Sequence, residues 1–268
     1  MALGTGTHWE GPLLGSDKAQ GGLCEEVPAD IQSRRHRSAL FYDFIDQNDD
    51  ATLAVTTLTA GTAVIVGPTT NGILRLTTGA VADQGLGSVQ FSLDAAAYLS
   101  ASTTDSSDGL PNRLISFGCR ASLADWSDND WFIGLAGTDT TLMASTGALT
   151  TVGFDNGVGF RHLVADGNDL GFVSAGAAVA NIEVTLFSAA QVPRVAPANA
   201  GVDAVFHEFG ITIDGTQNIA FYINGVLRHR RRMANALAAA MTPSLTLISG
   251  TGVANTMDVD YLWTSQTR

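Results

Sequence analysis

Lysine is nearly missing from this chain. Lys18 is the only one in 268 residues, and the other thirteen basic side chains are Arg. Charged residues make up 15% of the sequence, well below the roughly 25% of ordinary globular domains. There are two cysteines, Cys24 and Cys119, and five glutamates, Glu10, Glu25, Glu26, Glu183 and Glu208. Apolar runs stay short of the roughly 18 residues a membrane helix needs. The opening Met-Ala-Leu-Gly-Thr-Gly-Thr-His has neither a basic start nor an apolar stretch, so it does not read as a signal peptide. The expectation is a chain that stays in the cytoplasm where it is made, or leaves by lysis, and binds no membrane.

These absences exclude several chemistries. No Gly-x-x-x-x-Gly-Lys segment exists to cradle phosphates. Two distant cysteines make neither a disulfide framework nor a zinc site. Cys119 ends the apolar run Leu114 to Cys119 and reads as a small buried thiol. His8, His36, His162, His207 and His229 have no metal-ligand spacing, and no Gly-x-Ser-x-Gly elbow is present. Glycanases need two carboxylates about 5 to 9 Å apart across a sugar bond. Sandwich glycanases commonly place them as Glu-x-Asp-x-x-Glu, and Glu183, followed by Val184, Thr185 and Leu186, lacks that partner. Asp258 and Asp260 share a strand face but read as solvent-facing positions. No cofactor and no catalytic residue are expected. The formal net charge of −12 disfavours general nucleic-acid binding.

Period-two hydrophobicity dominates what is there. Phe209, Ile211 and Ile213 alternate, then Ile219, Phe221 and Ile223, as one face of a strand requires. Asp214-Gly215 and Asn224-Gly225 suit tight hairpin turns with positive φ. The stretch 206–228 therefore predicts three consecutive antiparallel strands. Further strands are expected at 40–45, 51–57, 62–66, 72–77, 88–93, 113–121, 130–136, 158–164, 170–174, 180–187, 244–249 and 256–263, with 226–229 closing the triplet. Turn-rich separators at this spacing indicate an all-β sandwich or barrel. Trp131 and Ile133 join the alternating residues as expected core. Helix is expected only at 94–99 and 233–241, the latter Ala-rich and stopped by Thr242-Pro243. The stretch 188–204 reads as a long loop.

Residues 1–38 carry no sustained period and many glycines, so they predict an extended N-terminal arm ahead of a sandwich at 39–268. Trp9, Leu13, Leu14 and Leu23 give the arm anchors, either for its own domain or for a neighbouring subunit. Three clusters of turn-type acids have calcium-like composition: Asp125, Asp128, Asn129 and Asp130; Asp43, Asp46, Asp49 and Asp50; Asp166, Asn168 and Asp169. Asp and Asn are also ordinary turn residues, and no metal is expected. Seven of the fourteen basic residues fall into two groups, Arg34, Arg35 and Arg37, and Arg228, Arg230, Arg231 and Arg232. The second follows the Asn224-Gly225 turn, which puts it at a sheet edge. It serves either to block unwanted strand pairing or to dock carboxylates of an acidic subunit.

An ordered series of motifs completes the reading. Phe-Tyr-Asp-Phe-Ile-Asp at 41–46 comes first, then Asn-Gly-Ile-Leu-Arg-Leu-Thr-Thr-Gly at 71–79 and the polar turn at 82–85. Trp-Phe-Ile-Gly-Leu-Ala at 131–136, Val-Gly-Phe at 158–160 and the strand-turn-strand from Ile211 to Val226 follow. Met-Asp-Val-Asp-Tyr-Leu-Trp at 257–263 closes the series. In this order they resemble the concanavalin A-like, laminin-G-like jelly-roll proteins, and within them structural proteins of tailed-phage virions. The resemblance implies a two-sheet antiparallel jelly-roll sandwich without enzymatic activity. It further implies a capsid decoration or cement protein on the virion surface, assembled in the host cytoplasm. Its partners would be the major capsid protein and neighbouring virion subunits, with a homo-trimer suited to three-fold positions. The docking residues would be Trp9, Leu13, Leu14, Leu23, Arg34, Arg35, Arg37, Arg228, Arg230, Arg231 and Arg232. The alternatives are a glycan-binding lectin-like module of a fibre or tail and, behind it, a sandwich glycanase. For a sugar platform, Trp126 is the one Trp in a loop-like setting.

Overall fold

A computed structural model describes residues 37–42, 44, 53–58, 61–66, 72–80, 86–91, 99–100, 114–126, 128–137, 142–143, 156–166, 169–176, 183–187, 205–214, 218–232, 237 and 240–267. Its elements are β1 (Arg37–Tyr42), β2 (Leu53–Leu58), β3 (Thr62–Val66), β4 (Ile73–Thr77), β5 (Leu86–Phe91), β6 (Leu99–Ser100), β7 (Leu114–Leu123) and β8 (Asn129–Ala136). They continue with β9 (Gly157–His162), β10 (Leu170–Ala175), β11 (Glu183–Phe187), β12 (His207–Asp214), β13 (Asn218–Ile223), β14 (Val226–Arg232), β15 (Ala240–Ser249) and β16 (Thr256–Thr267). Among the described residues one 3-10 turn, Val164–Asp166, interrupts them.

Two antiparallel sheets face each other. The first runs β14-β13-β12-β7-β16-β4-β3, with β1 also on β16; the second runs β11-β10-β9-β8-β15-β5-β2, with β6 on β15. This is the all-β two-sheet sandwich that the alternating hydrophobics predict. Phe209, Ile211, Ile213, Phe221 and Ile223 of the first sheet, with Trp131 and Ile133 of the second, are all buried in the one inter-sheet core. Pleating sends alternate side chains inward, where sheets about 10 Å apart interdigitate. Aromatic rings knit the two halves. Phe160 meets Phe209 at 5.1 Å and Phe221 at 5.5 Å, and Phe172 meets Phe221 at 5.0 Å between centroids.

The turn chemistry is legible at β13–β14. Asn224 and Gly225 both have positive φ, 51° and 73°, as a two-residue hairpin matched to strand twist demands. Phe44 is a different case. It holds a φ of 56° and is fully buried, so core packing overrides the steric preference of a bulky residue.

Three expectations need correction. No α-helix occurs among the described residues. Ala240 and Met241, placed in a helix by the Ala-rich composition, open β15 instead, and Leu237 is buried coil. Leu99, likewise, starts β6. Pro243 is part of β15 rather than a stop. It pairs with Leu135 on one edge, while the other edge passes from β6, at Met241, to β5, at Ser244. A residue without N–H is tolerated at such a gap in the ladder. The strand expected at 226–229 is longer, and β14 runs on through Arg232.

Part of the outer face of the second sheet is covered as well. Phe132, Val173 and Ile248 pack there with Leu142 and Met143 in a smaller apolar cluster. Gly134 and Gly159 make the room: a Cβ at Gly159 would stand 2.5 Å from Phe132 Cζ, and one at Gly134 would stand 3.0 Å from it. Both faces of β8 are therefore buried.

Candidate functional site

The outer face of the first sheet carries the charge. Glu208 on β12, Arg120 on β7 and Tyr261 on β16 are cross-strand neighbours in one row. Tyr261 Oη donates to Glu208 Oε1 at 2.8 Å. Burial first, then this bond to the carboxylate, pushes the phenol far above its ordinary range. β16 shifts register between Val259 and Tyr261, a bulge. Asp260 sits in it and accepts from Arg120 Nη1. The Arg120 guanidinium also stacks on Phe206, 4.7 Å from the ring centroid. One row on, Arg75 of β4 grips Asp258 with both nitrogens, Nε to Oδ1 at 2.6 Å and Nη2 to Oδ2 at 2.7 Å. The hydrogen bond to Asp258, then its charge, raises the Arg75 pKa further.

Asp258 and Asp260 are thus not the simply solvent-facing positions the sequence suggests. Each is bonded to a guanidinium from the neighbouring strand. Two carboxylates opposed across an empty space is what glycoside hydrolysis requires, and here the space beside each is taken by Arg. Because Arg75 and Arg120 keep 40% and 39% of their side chains exposed, each pair contributes only about 0–1 kcal/mol to stability. The row is a surface device that holds side chains in position. Sequence reasoning missed it, since strand register decides which of these distant residues meet.

β14 forms the edge of this sheet, as the Arg cluster predicts. Its four Arg are not equivalent. Arg230 and Arg232 are exposed, opposite Ala220 and Asn218. Arg228 and Arg231 are half-buried, and burial lowers the Arg231 pKa. His229 turns inward and lies against Phe172, 5.4 Å between centroids. Arg37 is the first residue of β1, opposite Thr267. Trp9, Leu13, Leu14, Leu23, Arg34 and Arg35 lie outside the described residues, as do the cluster at Asp43, Asp46, Asp49 and Asp50, and Cys24.

The acidic turns are used for local bonds. Asp125 Oδ1 accepts from the Asp128 amide at 3.1 Å, and Asn129 Nδ2 donates to the Asp125 carbonyl at 2.6 Å. Asp130 Oδ1 accepts from the Val164 amide at 2.6 Å. Asp166 pairs with Arg161, whose pKa burial lowers. Among the described residues no three His, Cys, Asp or Glu side chains converge on one point. Trp126 is not on a loop tip. It is buried, edge-on to Trp131 at 4.8 Å and to His207 at 5.5 Å. Trp131, Trp263, Tyr222 and Tyr261 are buried too, so no exposed Trp or Tyr platform exists among the described side chains.

No model of a known protein family matches the chain, and no curated protein matches it. Solved structures do. One is a glycoside hydrolase family 16 endo-glucanase from Bacteroides ovatus, 14% identical with a TM-score of 0.52, the match covering 83% of this chain and 98% of that one. Another is a carbohydrate esterase from the Shiga toxin-encoding bacteriophage phi24B, 13% identical, TM-score 0.45, covering 84% and 96%. A third is the binding domain of botulinum neurotoxin DC, 11% identical, TM-score 0.44, covering 79% of this chain and 43% of that one. The chain thus spans less than half of the neurotoxin chain it matches. Identities this low speak to architecture alone. Read with the two-sheet topology, the glucanase likeness shows the fold, an all-β, two-sheet antiparallel jelly-roll sandwich.

Proposed function

We propose that this chain is a non-enzymatic structural protein of a tailed-phage virion, a decoration or cement subunit bound to the major capsid protein on the head. The ordered motifs from Phe41 to Trp263 support that origin. The observation that carries the non-catalytic part is the pairing of Asp258 with Arg75 and of Asp260 with Arg120. Burial of Trp126, Trp131, Trp263, Tyr222 and Tyr261 leaves no exposed Trp or Tyr shelf for a sugar among the described side chains. What remains presented is an Arg edge, suited to carboxylates of an acidic neighbour.

The working principle is mechanical. A rigid sandwich bridges adjacent capsid subunits, while the arm at 1–38 and the exposed Arg230 and Arg232 spread attachment over several contacts. Many weak contacts per particle hold by avidity. The test is co-sedimentation with undecorated capsids. Full-length protein should saturate them. A chain lacking residues 1–36, which leaves β1 whole, should bind poorly, and so should Arg230→Ala with Arg232→Ala. Equal saturation by all three would refute the docking reading.

The second reading is a glycan-binding module of a fibre or tail. The fold likeness to the glucanase favours it, and so, for fold only, does the wider use of this sandwich in sugar recognition. A glycan array separates the two: selective, saturable binding to one glycan class would replace the capsid proposal. Product release from a polysaccharide panel, lost on Asp260→Asn, would replace both with a glycanase.

A further inference from the structure

The two edges of the first sheet are built differently. β14 carries Arg228, Arg230, Arg231 and Arg232, and its pairing with β13 is broken by a register shift at Phe221/Tyr222. Charges and bulges of this kind are how monomeric proteins blunt a sheet edge against pairing. β3, at the opposite edge, has neither. It reads Thr-Ala-Val-Ile-Val, and it pairs with β4 over all five residues without a shift. No charged residue occurs in the sequence between Asp50 and Arg75. Among the described residues its second edge pairs with nothing. Thr62 is exposed beside it, and Val64 and Val66 keep 49% and 37% of their surface in water. Beneath it lies β2, Leu-Ala-Val-Thr-Thr-Leu, the edge strand of the second sheet on the same flank.

We propose that β3 is a strand-pairing interface and that its occupant is β3 of a second copy of this chain. A two-fold axis through Val64 makes the strand its own antiparallel partner. Val64 then faces Val64 of the other copy, and Thr62 faces Val66. Directly opposed β-branched residues are favourable cross-strand pairs, and the isologous contact closes on itself without growing into a fibre. Charge selects this occupant. A net charge of −12 makes two copies repel over most approaches, and the uncharged span between Asp50 and Arg75 is where they meet without like charges opposed. A partner strand bearing charge would set it against apolar Val64 or Val66, and the nearest charge, Arg75 beside Val64 on β4, is already bonded to Asp258. The interface is separate from the Arg edge at β14, so it stands or falls apart from the capsid reading.

The test uses the full chain in sedimentation equilibrium at micromolar concentration. Dimers are expected. Val64→Lys and Val64→Glu should each sediment at half that mass, with unchanged circular dichroism, because each sets like charges opposite one another at the axis. Mixing the two variants one to one should restore the dimer, since Lys then faces Glu. If the full chain is a monomer, or if both variants stay dimeric, the proposal is wrong. If either variant unfolds, Val64→Cys in a Cys24→Ser chain replaces it. Rapid disulfide-linked dimers on mild oxidation support the two-fold register, and absence of cross-linking overturns it.

Discussion

Gly118 lies at the middle of β7, and the indole of Trp263 covers it from β16. A Cβ placed there would stand 2.9 Å from Trp263 Cζ2, and closer still to Cε2 and Nε1. β7 cannot retreat, because it is hydrogen-bonded to β12 on one side and β16 on the other. Gly118→Ala must therefore push the indole outward. Trp263 is 7% exposed. A Trp buries about 150–250 Å², so complete ejection would cost about 4–6 kcal/mol at roughly 25 cal/mol per Å². Overpacking that is relieved by tilting costs about 1–3 kcal/mol. Ejection being incomplete, the expected loss is about 2–3 kcal/mol, or roughly 5–10 °C in Tm for a chain of this size. Urea unfolding followed by circular dichroism measures it. The decisive comparison is a double-mutant cycle. Trp263→Ala alone should cost about 3–5 kcal/mol, and in that background Gly118→Ala should cost less than about 1 kcal/mol. Equal costs in both backgrounds would refute the steric argument, as would a single-variant cost under about 0.5 kcal/mol.

Burial lowers the His207 pKa below 6.5. The unfolded chain therefore takes up protons first on acidification, so stability should be flat above about pH 7.5 and fall below about pH 6.5. His207→Gln should flatten part of that slope in urea melts, His229 supplying another part in the same direction. Burial also pushes the Cys119 thiol well above its usual range. In a Cys24→Ser chain it should resist aromatic disulfide reagents until denaturant is added; prompt labelling would mean the inter-sheet core opens. Asn224→Ala removes the acceptor for the Glu208 amide, at 2.9 Å, from a residue with positive φ. It should cost about 1–2 kcal/mol, while Asn224→Gly should cost less. Arg75→Ala should change stability by less than about 1 kcal/mol, since the pair is solvent-screened, and that change should shrink in high salt.

The fold was legible wherever one signal spoke alone. Alternation placed β12 and β13, and Asn224-Gly225 placed the turn after them. Composition misled where two signals competed. The Ala-rich run before Thr242-Pro243 looks helical, yet Ala240 and Met241 serve β15, because burial of Met241 in a central strand outweighs a propensity of a few tenths of a kcal/mol per residue. Consecutive Arg look like the end of a strand, yet an edge strand can carry them through Arg232. Trp126 sits among turn residues and still turns inward. The site was the least legible part. Glu208, Arg120 and Tyr261 meet only because β12, β7 and β16 pair in one register and Asp260 bulges out of the last. A sequence read without an alignment holds no trace of that meeting.

β15 and β16 occupy central positions in the two sheets, yet both come late in the sequence. Each sheet lacks an inner strand until β15 and β16 have left the ribosome. Local meanders such as β8 to β11 and β12 to β14, and the β3–β4 and β2–β5 pairs, can form while the chain emerges, but the latter two pairs and β1 join their sheets only through β15 and β16. Closing contacts across such separations is slow, with all-β domains rich in long-range pairs folding over milliseconds to seconds. During that interval the β2–β5 and β3–β4 pairs expose the edges that β15 and β16 later cover. High-level production should therefore be limited by crowding of half-made chains rather than by the stability of the finished sandwich, and slower translation should raise the soluble yield.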